Sequence, residues 1–244
     1  MAEIARLYRH PIKGVGAEEL PATDVRAGQT LPGDRLWAVA HEAAKLTEGW
    51  NRCANFIRGA KSAQLMAITA KTEADTVTLS HPDRPDLRLN PDGDPQRLID
   101  WVRPLCDPNR AQPSQVIKAT QQGMTDAPFP SVSILNYASL RVLEGRAGRS
   151  LDPRRFRGNI WVDFADPWEE WEWVGNRLLI GGVVFEVRER ITRCLATHAN
   201  PETGQPDTDM LGILEETLGE RDFGVYAVAE TGGRIAVGDP VAVQ

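Results

Sequence analysis

Apolar residues recur along this chain in short runs, most of them with the alternation of two that a half-buried strand imposes. Ile4 to Arg9 reads as a first strand and Leu36 to Ala40 as another. Leu65–Ile68, Thr76–Leu79 and Leu87–Leu89 read as three short strands separated by Asp, Pro and Gly clusters. Helical spacing appears at Pro95 to Leu105, where Leu98, Trp101, Val102 and Leu105 share a face. It returns after the strand Val132–Leu135, in a helix capped by Asn136 and ending in the Gly145/Gly148 region. A third helix is expected after Pro206, with Asp207 or Asp209 as its cap, Met210, Leu211, Leu214 and Leu218 on its apolar side and Gly219 as its stop. A hairpin of Phe223–Ala229 with Arg234–Val237 through Gly232-Gly233 and a last strand over Val241–Val243 close the chain. Many short strands with few helices predict a mostly β, α+β protein. The Pro-, Gln- and Gly-rich stretch Asp107–Phe129 reads as a linker, dividing the chain into domains at 1–110 and 111–244.

Composition narrows the chemistry. With 34 acidic against 28 basic residues and a net charge of -6, the chain does not read as a nucleic-acid binder dominated by phosphate contacts. No apolar run approaches the roughly 18 residues of a membrane span, and the first residues lack the apolar core of a secretion signal, so the expected location is cytoplasmic. Three cysteines, at 53, 106 and 194, fit reduced thiols better than a disulfide framework and are too few for an iron–sulfur centre held by four.

The candidate chemistry concentrates after the strand Val183–Glu189. If Val183, Phe185 and Val187 face a core, then Glu186, Arg188, Arg190, Thr192 and Cys194 share the opposite face. A thiol among guanidinium groups favours thiolate, the form that ligates metals; equally, free cysteine is among the most buried residue types, and a bulge would turn Cys194 inward. Cys53 and Cys106 read as packed residues. Two other motifs dissolve on inspection. Gly14-Val15-Gly16 lacks the third glycine of a dinucleotide loop, and His41-Glu42-Ala43-Ala44-Lys45 has Lys45 where a zinc-protease helix needs histidine. In the basic cluster Arg154, Arg155, Arg157, the planar fork of arginine suits phosphate, and Arg157 is the preferred contact. Trp168, Trp171 and Trp173 lie in an acidic segment and read as packing on or covering the mouth of a barrel.

Arg155-Phe156-Arg157-Gly158-Asn159-Ile160, Trp168-Glu169-Glu170-Trp171, Thr192-Arg193-Cys194, Asn200-Pro201-Glu202-Thr203-Gly204, Phe223-Gly224-Val225-Tyr226 and Val237-Gly238-Asp239-Pro240-Val241 together resemble a MOSC domain, the fold named after the C-terminal part of molybdenum cofactor sulfurases. His10-Pro11-Ile12-Lys13-Gly14 and Gly33-Asp34-Arg35 resemble the β-barrel domain that precedes MOSC in the amidoxime-reducing components and their bacterial relatives. The resemblance implies a small N-terminal β-barrel-like domain followed by a MOSC β-barrel with peripheral helices. It implies molybdenum–molybdopterin as cofactor, ligated by Cys194 and caged by Lys13, Arg35, Ser139, Arg157, Asn159, Thr192, Arg193 and Tyr226. His198, on the same loop as Cys194, becomes the candidate proton donor. The implied activity is oxygen removal from small N-hydroxylated compounds, with electrons from a separate ferredoxin, flavodoxin or cytochrome b5-type donor. Gly14, Thr192 and Asn200 depart from the family's usual serine, serine and aspartate, which bears on substrate class more than on cofactor binding. A cofactor or sulfur carrier, and a scaffold with a purely structural cysteine, are the competing readings.

Overall fold

A computed structural model describes residues 2–120 and 122–244. The N-terminal part supplies β1 (Ile4–Arg9), β2 (Ile12–Lys13), β3 (Glu18–Leu20), β4 (Ala22–Val25), β5 (Trp37–His41), β6 (Thr69–Glu73), β7 (Thr76–His81), β8 (Arg84–Leu89), helix α1 (Pro95–Val102) and β9 (Pro113–Lys118). The remainder supplies β10 (Val132–Asn136), α2 (Tyr137–Ala147), β11 (Ile160–Val162), β12 (Arg177–Ile180), β13 (Val183–Thr192), α3 (Met210–Leu218), β14 (Asp222–Ala229), β15 (Gly233–Ala236) and β16 (Val241–Val243). The protein is mostly β with a few short helices, as the periodicity predicts.

One eight-stranded sheet runs in the order β16-β12-β13-β14-β10-β11-β1-β3, and β4 pairs with β15 beside it. Alternate residues of these strands, from Val241 of β16 to Ile4 and Leu7 of β1, meet in a single apolar cluster that also holds Val25 of β4 and Ile235 of β15. Strands at opposite ends of a sheet share one cluster only if the sheet curls around it. The other side of β10, β11 and β14 packs Leu135, Trp161 and Phe223 against Leu140 and Leu143 of α2 and Met210 and Leu214 of α3. A second core gathers Ile12, Trp37, Val39, Val77, Leu79 and the apolar face of α1. That face is the one read from the sequence: Leu98, Trp101, Val102 and, in the following turn, Leu105 are all buried. The caps of α2 and α3 fall where expected, and α1 has one at Asp94 outside those expectations. Asp94 accepts from Arg97 N, Asn136 from Ala138 N and Asp209 from Gly212 N, and Gly148 and Gly219 end α2 and α3 in the left-handed region.

Three expectations change. Leu65–Ile68 is not a strand: Ala63–Ala67 forms a helical turn that buries Leu65, Met66 and Ala67, with Leu65 in the second core. The hairpin of β14 with β15 does not form, because β14 lies between β13 and β10 while β15 crosses to pair with β4. The stretch 107–129 is not a free linker either. Its β9 pairs with β5 through Trp37↔Lys118 and Val39↔Val116, so a cut at residue 110 would divide a three-stranded sheet. In the other direction β1, β3 and β4 belong to the sheets of the second half. The two halves are thus interleaved, and backbone pairing sets the boundary rather than composition. No helix among the described residues is long and apolar enough to cross a membrane.

Candidate functional site

Strand β13 delivers Cys194 to the surface as its alternation demands. Val183, Phe185 and Val187 are buried, Arg188, Arg190 and Thr192 are exposed, and Cys194 is exposed. Two bulges, at Val187/Glu189 and Arg190/Thr192, interrupt pairing with β14. Beyond the strand, Cys194 opens a single helical turn, Leu195–His198, in which Thr197 donates to the Cys194 carbonyl from its N–H at 3.1 Å and its hydroxyl at 3.0 Å. Arg155, fully buried, clamps this turn from behind. Its guanidinium donates to the carbonyls of Thr197, His198 and Ala199 at 3.4, 3.2 and 3.1 Å and to Asp207 at 2.6 Å.

In front of Cys194 lies a cavity of about 450 Å³ whose wall includes Lys13, Arg35, Arg157, Thr192, Arg193, Cys194 and Tyr226. The N-terminal and C-terminal candidates therefore converge. Seven cationic side chains line it (Lys13, Arg35, Arg58, Arg155, Arg157, Arg190, Arg193) against two carboxylates, Asp126 and Glu189. Lys13 ends β2, and the Gly14 after it takes φ +72° and leaves no room for a Cβ, which would stand 2.6 Å from the Ile57 carbonyl oxygen. Lys13 Nζ donates to Met124 O at 2.7 Å and Asp126 Oδ1 at 2.5 Å. Burial lowers its pKa, and Asp126 opposes that without cancelling it.

Arg35 and Arg157 both sit in the left-handed region, at φ 50° and 49°, a conformation non-glycine residues rarely hold. Arg35 is held by Asp34, by Asn159 Oδ1 at 3.5 Å and by the Arg157 carbonyl at 3.0 Å. Arg157 donates to Gly16 O at 3.1 Å and Ile12 O at 3.5 Å, and Arg193 donates to the carbonyls of Phe223 and, at 2.9 Å, Phe156. Neither has a carboxylate partner among the described residues. Burial, with Arg35 nearby, pushes Arg157 down to about 9, and burial pushes Arg193 down to about 10. Two enclosed guanidinium groups held by carbonyl dipoles, Arg193 also by the Phe156 and Phe223 rings at 5.6 Å, keep charge and donors that suit an anion.

Three of the other candidates, Asn159, Ser139 and His198, fall outside the cavity wall. Asn159 lies beneath it as a brace, donating to Tyr8 O and Asp34 Oδ1 while accepting from Ser133. Ser139 is fully buried elsewhere: it donates to Glu170 Oε2 at 2.8 Å and accepts from Trp168 N at 2.8 Å, which ties the tryptophan-rich segment to the start of α2. His198 turns its ring towards α3, where Nε2 accepts from Leu211 N at 3.3 Å, so it does not face the cavity as a proton donor would. Thr192 is on the wall, its hydroxyl donating to Asp222 at 2.7 Å. Tyr226 is there too, its pKa raised by burial and Asp126.

Cys106 is packed as read, but Cys53 is not merely packed. It lines the cavity, with Arg58 Nη1 donating to its sulfur at 2.9 Å. Cys53, Arg58 and Asp126 carry no local motif; chain closure alone places them here. Trp173 is buried in the sheet core, and Trp171 lies under the Arg190 guanidinium at 4.1 Å, so these rings pack and do not form an open stacking platform.

Several known proteins are similar to this chain. Mitochondrial amidoxime-reducing component 1 is 27% identical in Mus musculus over 98% of this chain and 81% of its own length, and 25% identical in Homo sapiens over 98% and 82%. A molybdenum cofactor sulfurase from Drosophila grimshawi is 28% identical over 57% of this chain and 20% of its own. Among solved structures, the YUAD protein from Bacillus subtilis aligns over 99% of this chain and 94% of its own at 14% identity, with a TM-score of 0.49. The MOSC N-terminal beta barrel domain matches residues 1–126 and the MOSC domain residues 122–242. Those two matches meet where β9 ends and the strand β10 has yet to begin, and between them they span nearly the whole sequence: the chain belongs to the MOSC family, with both the N-terminal barrel domain and the MOSC domain.

Proposed function

We propose that the cavity binds molybdenum cofactor, with Cys194 as the protein's ligand to the metal, and that the protein reduces small N-hydroxylated compounds. One observation carries this reading: an exposed thiol shares a 450 Å³ cavity with enclosed arginines that have no counter-ion. The donor set fits the group. Among the described residues no three His, Cys, Asp or Glu side chains come together, so a metal here would draw most of its ligands from a cofactor, and a soft thiolate suits molybdenum held by dithiolene sulfurs. Lys13, Arg35, Arg157 and Arg193 would hold the anionic pterin phosphate, with Asn159 fixing Arg35 from below. Bound, the cofactor supplies a two-electron redox centre.

The chain's own residues do the rest. Arg155 fixes the turn that presents Cys194. Removing oxygen from an N–OH group consumes two electrons and two protons and releases water. With His198 outside the cavity, the proton-bearing groups on the wall are Tyr226, whose pKa is raised, and Lys13, whose pKa is lowered. Lys13, paired with Asp126, is the better donor. Electrons would come from a separate ferredoxin, flavodoxin or cytochrome b5-type protein. The relation to a molybdenum cofactor sulfurase favours a second reading, a carrier of cofactor or sulfur. Expression in a cofactor-producing host separates them. Equimolar molybdenum with turnover of benzamidoxime is the expected result; molybdenum handed on without turnover would identify a cofactor carrier, and protein without molybdenum would overturn both the reductase and the cofactor-carrier readings.

A further inference from the structure

Of the seven cations on the cavity wall, six are already engaged. Lys13, Arg35, Arg155 and Arg190 each pair with a carboxylate (Asp126, Asp34, Asp207 and Glu220), and Arg157 and Arg193 are held by backbone carbonyls. Arg58 is the exception. Among the described residues its side chain makes one hydrogen bond, Nη1 to the Cys53 sulfur at 2.9 Å, and no ion pair. The remaining donors of its fork are unspent. Its backbone is nevertheless fixed. A Cβ on Gly14 would stand 3.1 Å from Arg58 Cα, and one on Gly59 would collide with Met66 and come within 3.3 Å of Ala196 Cβ. Residues 58–59 are therefore wedged between the Lys13–Gly14 turn and the loop that carries Cys194. The half-buried Arg58 guanidinium is thus placed on the N-terminal bank of the cavity, facing the Cys194 bank, and the Cys53 sulfur sets its orientation.

We infer that Arg58 is a specificity-determining residue that binds a carboxylate on the substrate, so that the preferred substrates are N-hydroxylated compounds carrying a negative charge. This rests on the reductase reading above. A planar fork with free donors matches a carboxylate in two-point fashion, and charge-assisted bonds of this kind are about twice as strong as neutral ones. Of the two wall carboxylates that would repel such a group, Asp126 is neutralised by Lys13, and Glu189 lies on β13 with no ion pair to Arg58. The same chemistry could instead be met by the phosphate of the cofactor, and the test separates the two sources.

Molybdenum-loaded wild type, Arg58→Ala and Arg58→Lys are compared with benzamidoxime and 4-carboxybenzamidoxime, and calorimetry measures binding of the unreactive analogues benzamide and 4-carboxybenzamide. The wild type should favour the carboxylated substrate in kcat/KM by about 10-fold or more, the size expected of one charge-assisted bond. Arg58→Ala should lose that ratio and bind 4-carboxybenzamide about 10-fold more weakly, with Arg58→Lys between. Retained discrimination in Arg58→Ala overturns the inference. So does a fall in its molybdenum content, which would assign Arg58 to the cofactor phosphate. Should wild type turn over neither substrate, the reductase reading fails, while the two binding isotherms still decide whether Arg58 reads a carboxylate.

Discussion

Two clefts in this protein are lined with arginine, and only one leaves arginines without a carboxylate partner. The larger, about 610 Å³, is bordered by Arg6, Arg149, Arg154 and Arg155. Every one of these is paired: Arg6 with Glu19 at 2.8 Å, Arg149 with Asp207 at 3.2 Å, Arg154 with Asp152 at 2.5 Å and Arg155 with Asp207 at 2.6 Å. The smaller, beside Cys194, keeps Arg157 and Arg193 on carbonyls and leaves their charge uncompensated. Size and arginine content do not distinguish a ligand site from a surface groove. What distinguishes them is whether the fold has already supplied the counter-charge.

The comparison can be broken most sharply at the thiol. Cys194→Ala should abolish molybdenum retention and turnover while leaving the melting temperature of the cofactor-free protein within a degree or two, because the side chain is exposed and packs in no core cluster. Full activity in that variant would remove Cys194 from the centre.

A smaller effect concerns a third uncompensated charge, and it tests whether such charges always mark ligands. Glu170 is fully buried between Ser139 and Asn136, and burial pushes its carboxyl up to about 7. A folded pKa above the unfolded one means that the folded state holds the extra proton between about 4.5 and about 7. Stability should therefore fall as pH rises through that window and stay low above it, by about 3 kcal/mol at most. Glu170→Gln should flatten the fall in denaturant titrations at pH 5 and pH 8. If it does, an orphan charge can be a cost the fold simply carries. If wild type shows no fall, the carboxyl is compensated by something else.

Smallest is the response of the cofactor-free protein to inorganic phosphate. An anion that binds only the folded state at ten times its Kd stabilises by about 1.4 kcal/mol. That gain should shrink in Arg157→Ala and persist in Arg154→Ala, whose charge is already spent on Asp152. Equal loss in both would erase the distinction between the clefts.

How much of this was legible in the sequence depended on how local the cause was. The exposure of Cys194 follows from a period of two that the residues of β13 state directly, and the caps at Asn136 and Asp209 follow from side chains a few residues away. Ser139 and His198 were misplaced for a related reason: each sits beside a family motif, yet its polar atoms are consumed by Glu170, Trp168 and the start of α3. Pairings such as β15 with β4, and the arrival of Cys53 and Arg58 opposite Cys194, depend on contacts between distant segments that no local pattern encodes.

The crossing of β15 to β4 also has a consequence for biosynthesis. Val25 pairs with Gly233, and Leu7 of β1 with Ile160 of β11, so strands made first must wait for partners made much later. On a ribosome β4 and the edge of β1 away from β3 would stay open through most of translation. Long-range pairing of this kind slows folding and exposes intermediates to aggregation. The cavity itself, walled by residues from Lys13 to Tyr226, cannot exist until nearly the whole chain has been released. Cofactor loading would therefore be a post-translational event, and yield in a heterologous host should depend on chaperone supply and temperature as much as on cofactor supply.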